Sequence, residues 1–280
     1  KADPPNAVLA TANTAITNGS TFQVGAAHTF TVDTNDIIIG AFDANGWNSN
    51  VTVTGTGVIM GPIINSDTSG NAAGPTALTL NNGDTVTFNG TAVGSALTGN
   101  GAFTAPASAY TVAAALIGDN TTMVLNDGVN LTATSINASN ANNGLISVEK
   151  DSTIATLNVG NTAELKSVSV GAGTANFSTA TTYKADTTTL THKDSILKFG
   201  ADAATTAGNL VSSVDGGGKL EVSANGATWS GNIGSDSAAL GSVDIAGGGT
   251  LVLNKASGKA YVNKFTGTGS LDIDGATNYT

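Results

Sequence analysis

The chain has 280 residues and a formal net charge of −10, from 20 acidic and 10 basic side chains. Only 11% of its residues are charged, whereas an ordinary soluble domain has about 25%. Every basic residue is lysine, so the side chain that best recognises phosphate and guanine is missing, and we expect no nucleic-acid partner. The absence of cysteine excludes disulfide bonds and thiolate metal sites.

The sequence contains no apolar run of about eighteen residues, which a membrane-spanning helix requires, and no basic amphipathic segment. We therefore expect no membrane insertion by this segment. The chain begins at Lys1 and lacks the apolar core of a signal peptide, which predicts that it is processed or cut from something longer.

Residues 1–115 are the less regular part of the chain. They contain all 5 prolines, the apolar runs at residues 37–39 and 58–60, and Trp47. Residues 110–117 are the only stretch that resembles a short helix, although the alanine run leaves that interpretation ambiguous. Because the ends of a repeat protein need atypical capping segments, we expect residues 1–115 to be an irregular N-terminal cap or the first coils.

The dominant unit of the chain is a turn, a short alternating strand and another turn. In residues 82–90, Val86 and Phe88 point to one face of the strand and the threonines point to the other. Asn-Gly pairs supply turn positions with positive φ at low cost. The same unit returns at residues 120–128, 218–222 and 269–275. We expect residues 116–280 to form repetitive β-helix coils, either as a separate region or as one continuous solenoid with the cap.

A longer repeated segment also occurs in the sequence. Residues 167–174 resemble residues 242–250 with one residue inserted, and a related strand occupies residues 155–160. These similar segments indicate a diverged internal repeat.

Regularly placed aliphatic pairs argue against a disordered tail, and the short strands fit a sandwich, a closed barrel or a β-solenoid. Small residues, scarce aromatic residues and repetition favour the solenoid. We therefore predict an all-β fold, a parallel β-helix with an irregular N-terminal cap and roughly 20–25 residues per coil. About two or three buried aliphatic side chains per strand, at roughly 1.5–3 kcal/mol each, barely offset the ordering entropy of one coil, so neighbouring coils must stabilise each other.

Carboxylates are the only candidate catalytic acids. Asp272 and Asp274 lie two residues apart on one face of a strand, and Asp33 and Asp36 lie close together, with Asp43 beyond them. Parallel β-helix enzymes present carboxylates in this way, but those that act on acidic sugars also need arginine or a lysine cluster. We interpret these aspartates as solvated loop and edge residues.

No metal site is predicted. Residues 272–275 resemble part of a calcium loop, but the glutamate that completes such a loop is missing. His28 and His192 are far apart in sequence and neither has a second histidine nearby, so we interpret both as surface or strand-face residues. No nucleophile elbow or phosphate-binding loop occurs. The sequence predicts no catalytic, cofactor-binding or metal-binding residue, and no enzyme.

Trp229 and Phe265 are isolated among small residues. An exposed aromatic side chain on a β-helix can anchor a partner, but we favour a core or end-cap position for both.

Residues 168–175 and 183–190 resemble the repeat sequence of the rickettsial surface cell antigen family, autotransporters of the outer-membrane protein A and B type. Residues 231–235, followed by residues 240–243, look like a second repeated motif of the same family. The resemblance covers roughly residues 120–280, and the N-terminal third matches only in composition. Because these motifs are structural, they assign no binding residue.

This resemblance implies a passenger segment that is exported through the outer membrane to the bacterial cell surface by a C-terminal β-barrel of the full-length protein. Members of the family form surface layers or promote attachment to host cells. The expected partners are a host-cell surface protein or neighbouring copies of the surface protein. Two other functions stay open: a polysaccharide-active β-helix enzyme, and a self-assembling filament or lattice subunit.

Overall fold

The structure is a computed structural model. It describes residues 7–9, 21–23, 29–33, 35, 38–39, 41–43, 50–60, 63–64, 77–80, 83–88, 109–202, 204–254 and 258–274. The regular structure of these residues is entirely β, and they include no helix long and apolar enough to cross a bilayer.

The strands that precede residue 89 are short: β1 (Ala7–Leu9), β2 (Thr21–Gln23), β3 (Thr29–Val32), β4 (Ile38–Ile39), β5 (Ala41–Asp43), β6 (Asn50–Val53), β7 (Val58–Met60), β8 (Ile63–Ile64), β9 (Ala77–Leu80) and β10 (Thr85–Phe88). Those that follow include longer ones: β11 (Ala109–Ile117), β12 (Thr122–Leu125), β13 (Asn130–Ala138), β14 (Asn143–Val148), β15 (Ser152–Val159), β16 (Leu165–Val170), β17 (Thr174–Phe177), β18 (Thr182–Leu190), β19 (Ile196–Phe199), β20 (Thr205–Ser212), β21 (Gly217–Val222), β22 (Ala227–Trp229), β23 (Leu240–Ile245), β24 (Thr250–Leu253), β25 (Phe265–Gly267) and β26 (Ser270–Ile273).

These strands stack in parallel into three ladders. The first ladder contains β1, β3, β6, β9, β11, β13, β15, β18, β20, β22, β24 and β26. The second contains β2, β5, β8, β11, β13, β15, β17, β19, β21, β23 and β25. The third contains β4, β7, β10, β12, β14, β16, β18 and β20. The longer strands that appear in two ladders bend from one ladder into the next.

The spacing of register partners gives the length of a coil. In the second ladder, successive partners are 22 or 23 residues apart: Ala175, Leu197, Leu220, Val243 and Phe265. Parallel pairing at this period defines a β-solenoid, so the predicted fold class is confirmed. Some intervals before residue 122 are longer: Val58 of β7 pairs with Val86 of β10, which is 28 residues further on, and Thr85 of β10 pairs with Thr122 of β12, which is 37 residues further on.

The core is a column of aliphatic and aromatic side chains between the three ladders. Val86 and Phe88 are buried as the alternation predicted, and Met123 and Leu125 occupy the matching positions of the next rung. Each buried Val, Leu, Phe or Met side chain contributes roughly 1.5–3 kcal/mol relative to an exposed one. Because each inward side chain packs against its register partner in the next coil, the burial comes from stacking rather than from any single coil.

Residues 110–117 form part of strand β11, so the helix-like interpretation of this stretch is wrong. Val112, Ala115 and Ile117 are buried, in the pattern of a strand that bends between two ladders. Tyr110 is also buried, and its hydroxyl donates a hydrogen bond to the Met60 carbonyl oxygen at 2.7 Å. Pairing with β9 on one side and β13 on the other overrides the helix preference of the alanine run.

Strand β11 also crosses residue 115, where the predicted cap meets the predicted repetitive region. The ladders continue on both sides of it. The division into residues 1–115 and 116–280 stays a prediction.

Glycine permits the closest approach between coils at one corner. A Cβ atom on Gly208 would lie 1.6 Å from the carbonyl oxygen of Ala185, and one on Gly231 would lie 1.6 Å from the carbonyl oxygen of Gly208. Ala185, Gly208 and Gly231 therefore form a corner column in which the backbones of successive coils are in contact.

Candidate functional site

Among the described residues, the aspartates singled out in the sequence lie at opposite ends of the ladders rather than in one site. Asp272 lies on β26 in register with Val252, and it is exposed. Asp274 follows β26, and the Asn254 side-chain amide lies 3.5 Å from its carboxylate. Asp33 follows β3 at the other end of the ladders. Asp43 belongs to β5, in register with Ile64.

Asp36 and His28 lie outside the described residues, as does Trp47. The described residues contain no group of three or more His, Asp or Glu side chains that could hold a metal ion. His192 lies in an exposed turn, where its Nδ1 accepts a hydrogen bond from the Asp194 backbone N–H at 3.2 Å. The Lys193 ammonium group is hydrogen-bonded to the Asp194 carboxylate and lowers the pKa of that carboxyl group.

Trp229 belongs to the core, as predicted. The Trp229 ring packs edge-on against Phe199 at a centroid distance of 6.2 Å, and Phe199 also contacts Phe177 and Tyr183. Phe265, in contrast, lies in the last described coil and is partly exposed. The two isolated aromatic residues therefore have different environments, although the local sequence around each is similar in its small residues.

The outer surface of the second ladder carries a row of polar side chains, which we call the second-ladder row. Its members are in register from coil to coil: Asn130, Thr153, Asn176, Lys198, Glu221 and Asp244. The ammonium nitrogens of Lys198 and Lys219 lie 3.7 Å and 3.2 Å from carboxylate oxygens of Glu221. Sequence analysis missed this row, because its members are more than twenty residues apart and only the register aligns them.

At its N-terminal part the second-ladder row borders a shallow groove of about 270 Å³. Asp151 lines this groove, but its carboxylate accepts a hydrogen bond from the Thr174 backbone N–H at 2.7 Å. The acidic group therefore stabilises the turn between two coils. The groove contains no second carboxylate that would make a catalytic pair.

The outer surface of the third ladder carries two rows of uncharged side chains, which we call the third-ladder face. It consists of two parallel rows of side chains: Thr122, Leu145, Ser167, Thr187 and Asn209 in one, and Val124, Ser147, Ser169, Thr189 and Val211 in the other. The Ser169 hydroxyl donates to the Ser147 hydroxyl at 2.9 Å, so side chains of neighbouring coils also bond to each other. The third-ladder face therefore presents hydroxyl, amide and aliphatic groups that recur from coil to coil.

The fold and surfaces define a class of protein: a parallel β-solenoid whose described residues form rows of polar side chains along its outer surface. The chain is 30% identical to a protein named "Outer membrane protein A" from Rickettsia rickettsii, over 277 residues that cover 93% of this chain. This similarity supports membership of the rickettsial surface antigen family and confirms the resemblance found in the repeat motifs. The chain spans 12% of the length of that relative.

No protein-family model matches the chain. No solved structure matches it either.

Proposed function

We propose that the chain is a non-enzymatic structural and adhesive segment of a bacterial cell-surface protein. The single observation that carries this proposal is the similarity to Outer membrane protein A, which extends over nearly the whole solenoid. The name of that relative points to an outer-membrane or cell-surface location for this chain. Export as the passenger of an autotransporter, as the resemblance implies, belongs to the same proposal.

The solenoid suits such a role because the same coils determine its length and form its outer surface. Each added coil extends the ladders by about 4.8 Å and adds one more member to every outer row. A partner that contacts the third-ladder face meets similar hydroxyl and aliphatic groups at each step. Many weak contacts of this kind produce avidity without a deep pocket.

The electrostatic character of the chain supports the same role. The net charge of −10 favours solubility and repulsion between neighbouring copies on a crowded surface. Lys198 of the second-ladder row and Lys219 beside the row both pair with Glu221, so this surface presents mixed charge rather than a cationic stripe. A partner would therefore be recognised by polar and apolar contacts, and a host-cell surface protein fits this description.

The location can be tested with antibodies raised against the folded chain. Labelling of intact source cells without permeabilisation is the expected result. Labelling that appears only after permeabilisation would contradict the proposal.

Adhesion can be tested with beads that carry the purified chain and are incubated with cultured host cells. A matched control carries the same chain with Val168→Asp and Leu210→Asp, which place carboxylates in the core and unfold the coils. Beads with the folded chain are expected to bind several-fold more than control beads. Equal binding by the two bead populations would show that the solenoid surface has no adhesive role.

A further inference from the structure

The shallow groove of about 270 Å³ beside the second-ladder row lies where three successive coils cross the second ladder. One column of its lining belongs to that row: Asn130, Thr153 and Asn176. A second column lies two residues earlier in each coil: Gly128, Asp151 and Thr174. Neighbours are about 4.8 Å apart along the ladder and about 6.6 Å apart along a strand, so these residues form a small grid.

The backbone already orients Asp151 within this grid. Its Oδ1 accepts a hydrogen bond from the Thr174 backbone N–H at 2.7 Å, and its carbonyl oxygen accepts one from the Gly128 N–H at 2.6 Å. Its Oδ2 has no hydrogen-bond donor among the described residues, and the residue is exposed. Because the carboxylate is held in place beforehand, it loses little conformational entropy when a donor group of a ligand reaches Oδ2.

The neighbouring side chains supply further polar groups. Within the described part of the chain, the hydroxyl groups of Thr153 and Thr174 have no hydrogen-bond partner, and both residues are half-buried. The side-chain oxygen of Asn176 accepts a hydrogen bond from the Ser178 N–H at 3.1 Å, so its amide nitrogen is the donor that it can offer to a ligand. The groove therefore combines a carboxylate acceptor, two hydroxyl groups and an amide donor.

The charge of the groove restricts the kind of ligand. Lys150 precedes Asp151, but its ammonium nitrogen lies 2.8 Å from the Asp127 carboxylate, and neither Lys150 nor Asp127 lines the groove. Asp151 is the one charged residue of the lining, so it disfavours phosphate, sulfate and carboxylate groups. The lining also contains no aromatic ring on which a planar base could stack. A ligand that fits is neutral and carries several groups that both donate and accept hydrogen bonds.

We propose that this groove binds a ring of a neutral saccharide, with four side chains as its contacts: Asp151, Thr153, Thr174 and Asn176. A sugar hydroxyl group can donate to the Asp151 carboxylate and also accept from the Asn176 amide, so one ring can satisfy several of these groups together. The bond to the charged acceptor is the strongest of the set. Because the groove is shallow, a single ring binds weakly, and several copies of the chain or several rings increase the avidity. The proposal goes beyond the cell-surface function, since it concerns a property of the purified chain.

Binding of the labelled purified chain to a printed glycan array is the direct test. The array carries neutral, sialylated and sulfated glycans of animal origin and neutral polysaccharides of bacterial origin, so it also distinguishes these two sources. The chain is expected to bind neutral glycans from at least one of them, and the strongest binder is then titrated in solution. Asp151→Asn retains an acceptor for the Thr174 N–H but removes the charge, so it is expected to weaken binding at least about tenfold.

Asp202→Asn is the matched control. The Asp202 carboxylate accepts a hydrogen bond from the Asn225 backbone N–H at 2.9 Å, so it has the same structural role in a later turn, but it lies outside the groove. This variant is expected to bind like wild type, and thermal unfolding of both variants shows whether they are equally folded. The proposal is overturned if the wild-type chain binds no neutral glycan at millimolar concentration, if it prefers sialylated or sulfated glycans, or if the two variants bind equally.

Discussion

At the scale of single residues, the corner column of Ala185, Gly208 and Gly231 shows why some glycine positions in a glycine-rich sequence cannot accept a larger side chain. The chain contains 36 glycine residues, and composition alone does not distinguish one glycine from another. The structure shows that Gly208 and Gly231 lie directly against the backbone of the preceding coil, where a side chain has no room. Which glycines matter could not be predicted from sequence, since the contact joins residues of different coils.

Gly231→Ala is expected to destabilise the chain by at least about 2 kcal/mol, because its Cβ atom would force two coils apart. Gly247→Ala is the matched control: its Cβ atom would meet only the Thr268 side-chain oxygen at 2.9 Å, which can rotate away. Urea unfolding followed by circular dichroism measures both variants. Equal midpoints would show that the corner column does not limit coil spacing.

Trp229 is a second residue whose contacts are defined only by the three-dimensional structure. Its ring is buried, and its indole nitrogen has no hydrogen-bond partner among the described residues. Trp229→Phe removes this unsatisfied donor and keeps most of the ring packing, so it is expected to cost less than about 1.5 kcal/mol. Trp229→Ala is expected to cost roughly 3–5 kcal/mol. Similar losses for the two variants in thermal unfolding would contradict this interpretation.

Tyr183 links a buried residue to the pH dependence of stability. Burial raises the pKa of its phenol far above the usual range, and its hydroxyl lies 2.7 Å from the Thr188 hydroxyl. The unfolded chain releases this proton near pH 10, whereas the folded chain retains it. Stability from this group is therefore complete below pH 10 and is lost as the pH rises further.

The double variant Tyr183→Phe and Thr188→Val removes both partners together. It is expected to stay within about 1.5 kcal/mol of wild type at neutral pH, and to lose stability less steeply above pH 10. The free energy of unfolding, measured at several pH values between 8 and 11, gives the two slopes. Parallel slopes would exclude Tyr183 as a source of alkaline unfolding.

At the scale of elements, a strand is stabilised by the strands above and below it in its ladder. Leu253 of β24 and Ile273 of β26 occupy the same row, but only Leu253 is covered by a following coil among the described residues. Leu253→Ala is expected to cost roughly 2–5 kcal/mol and Ile273→Ala less than about 1 kcal/mol. Equal costs in urea unfolding would indicate that the Ile273 side chain is covered as well as that of Leu253.

Local pattern predicted the elements better than it predicted their arrangement. Alternation at residues 82–90 and 120–128 identified strands and their buried side chains, because this information lies within a few neighbouring residues. The second-ladder row and the bend of β11 depend on register between segments more than twenty residues apart. No local pattern contains that register, which explains both the missed row and the wrong helical interpretation of residues 110–117.

At the scale of the whole molecule, the solenoid behaves as a one-dimensional stack, in which stability depends on position along the axis. Coils in the middle have two neighbours, and the last described coil has one. Amide hydrogen exchange is expected to be slowest in β14, β16 and β18 and fastest in β25 and β26, because end coils open without disturbing the rest. Uniform exchange along the chain would indicate one cooperative unit.

The 37-residue interval between Thr85 and Thr122 has a practical consequence. Since β10 and β12 pair without interruption across it, the ladders keep their register although more residues connect these two strands than connect register partners in the later coils. The length of a connection between two rungs is therefore not fixed by the core. For the same reason, the connection between β10 and β11 is a suitable place to graft a foreign epitope or binding peptide onto the scaffold.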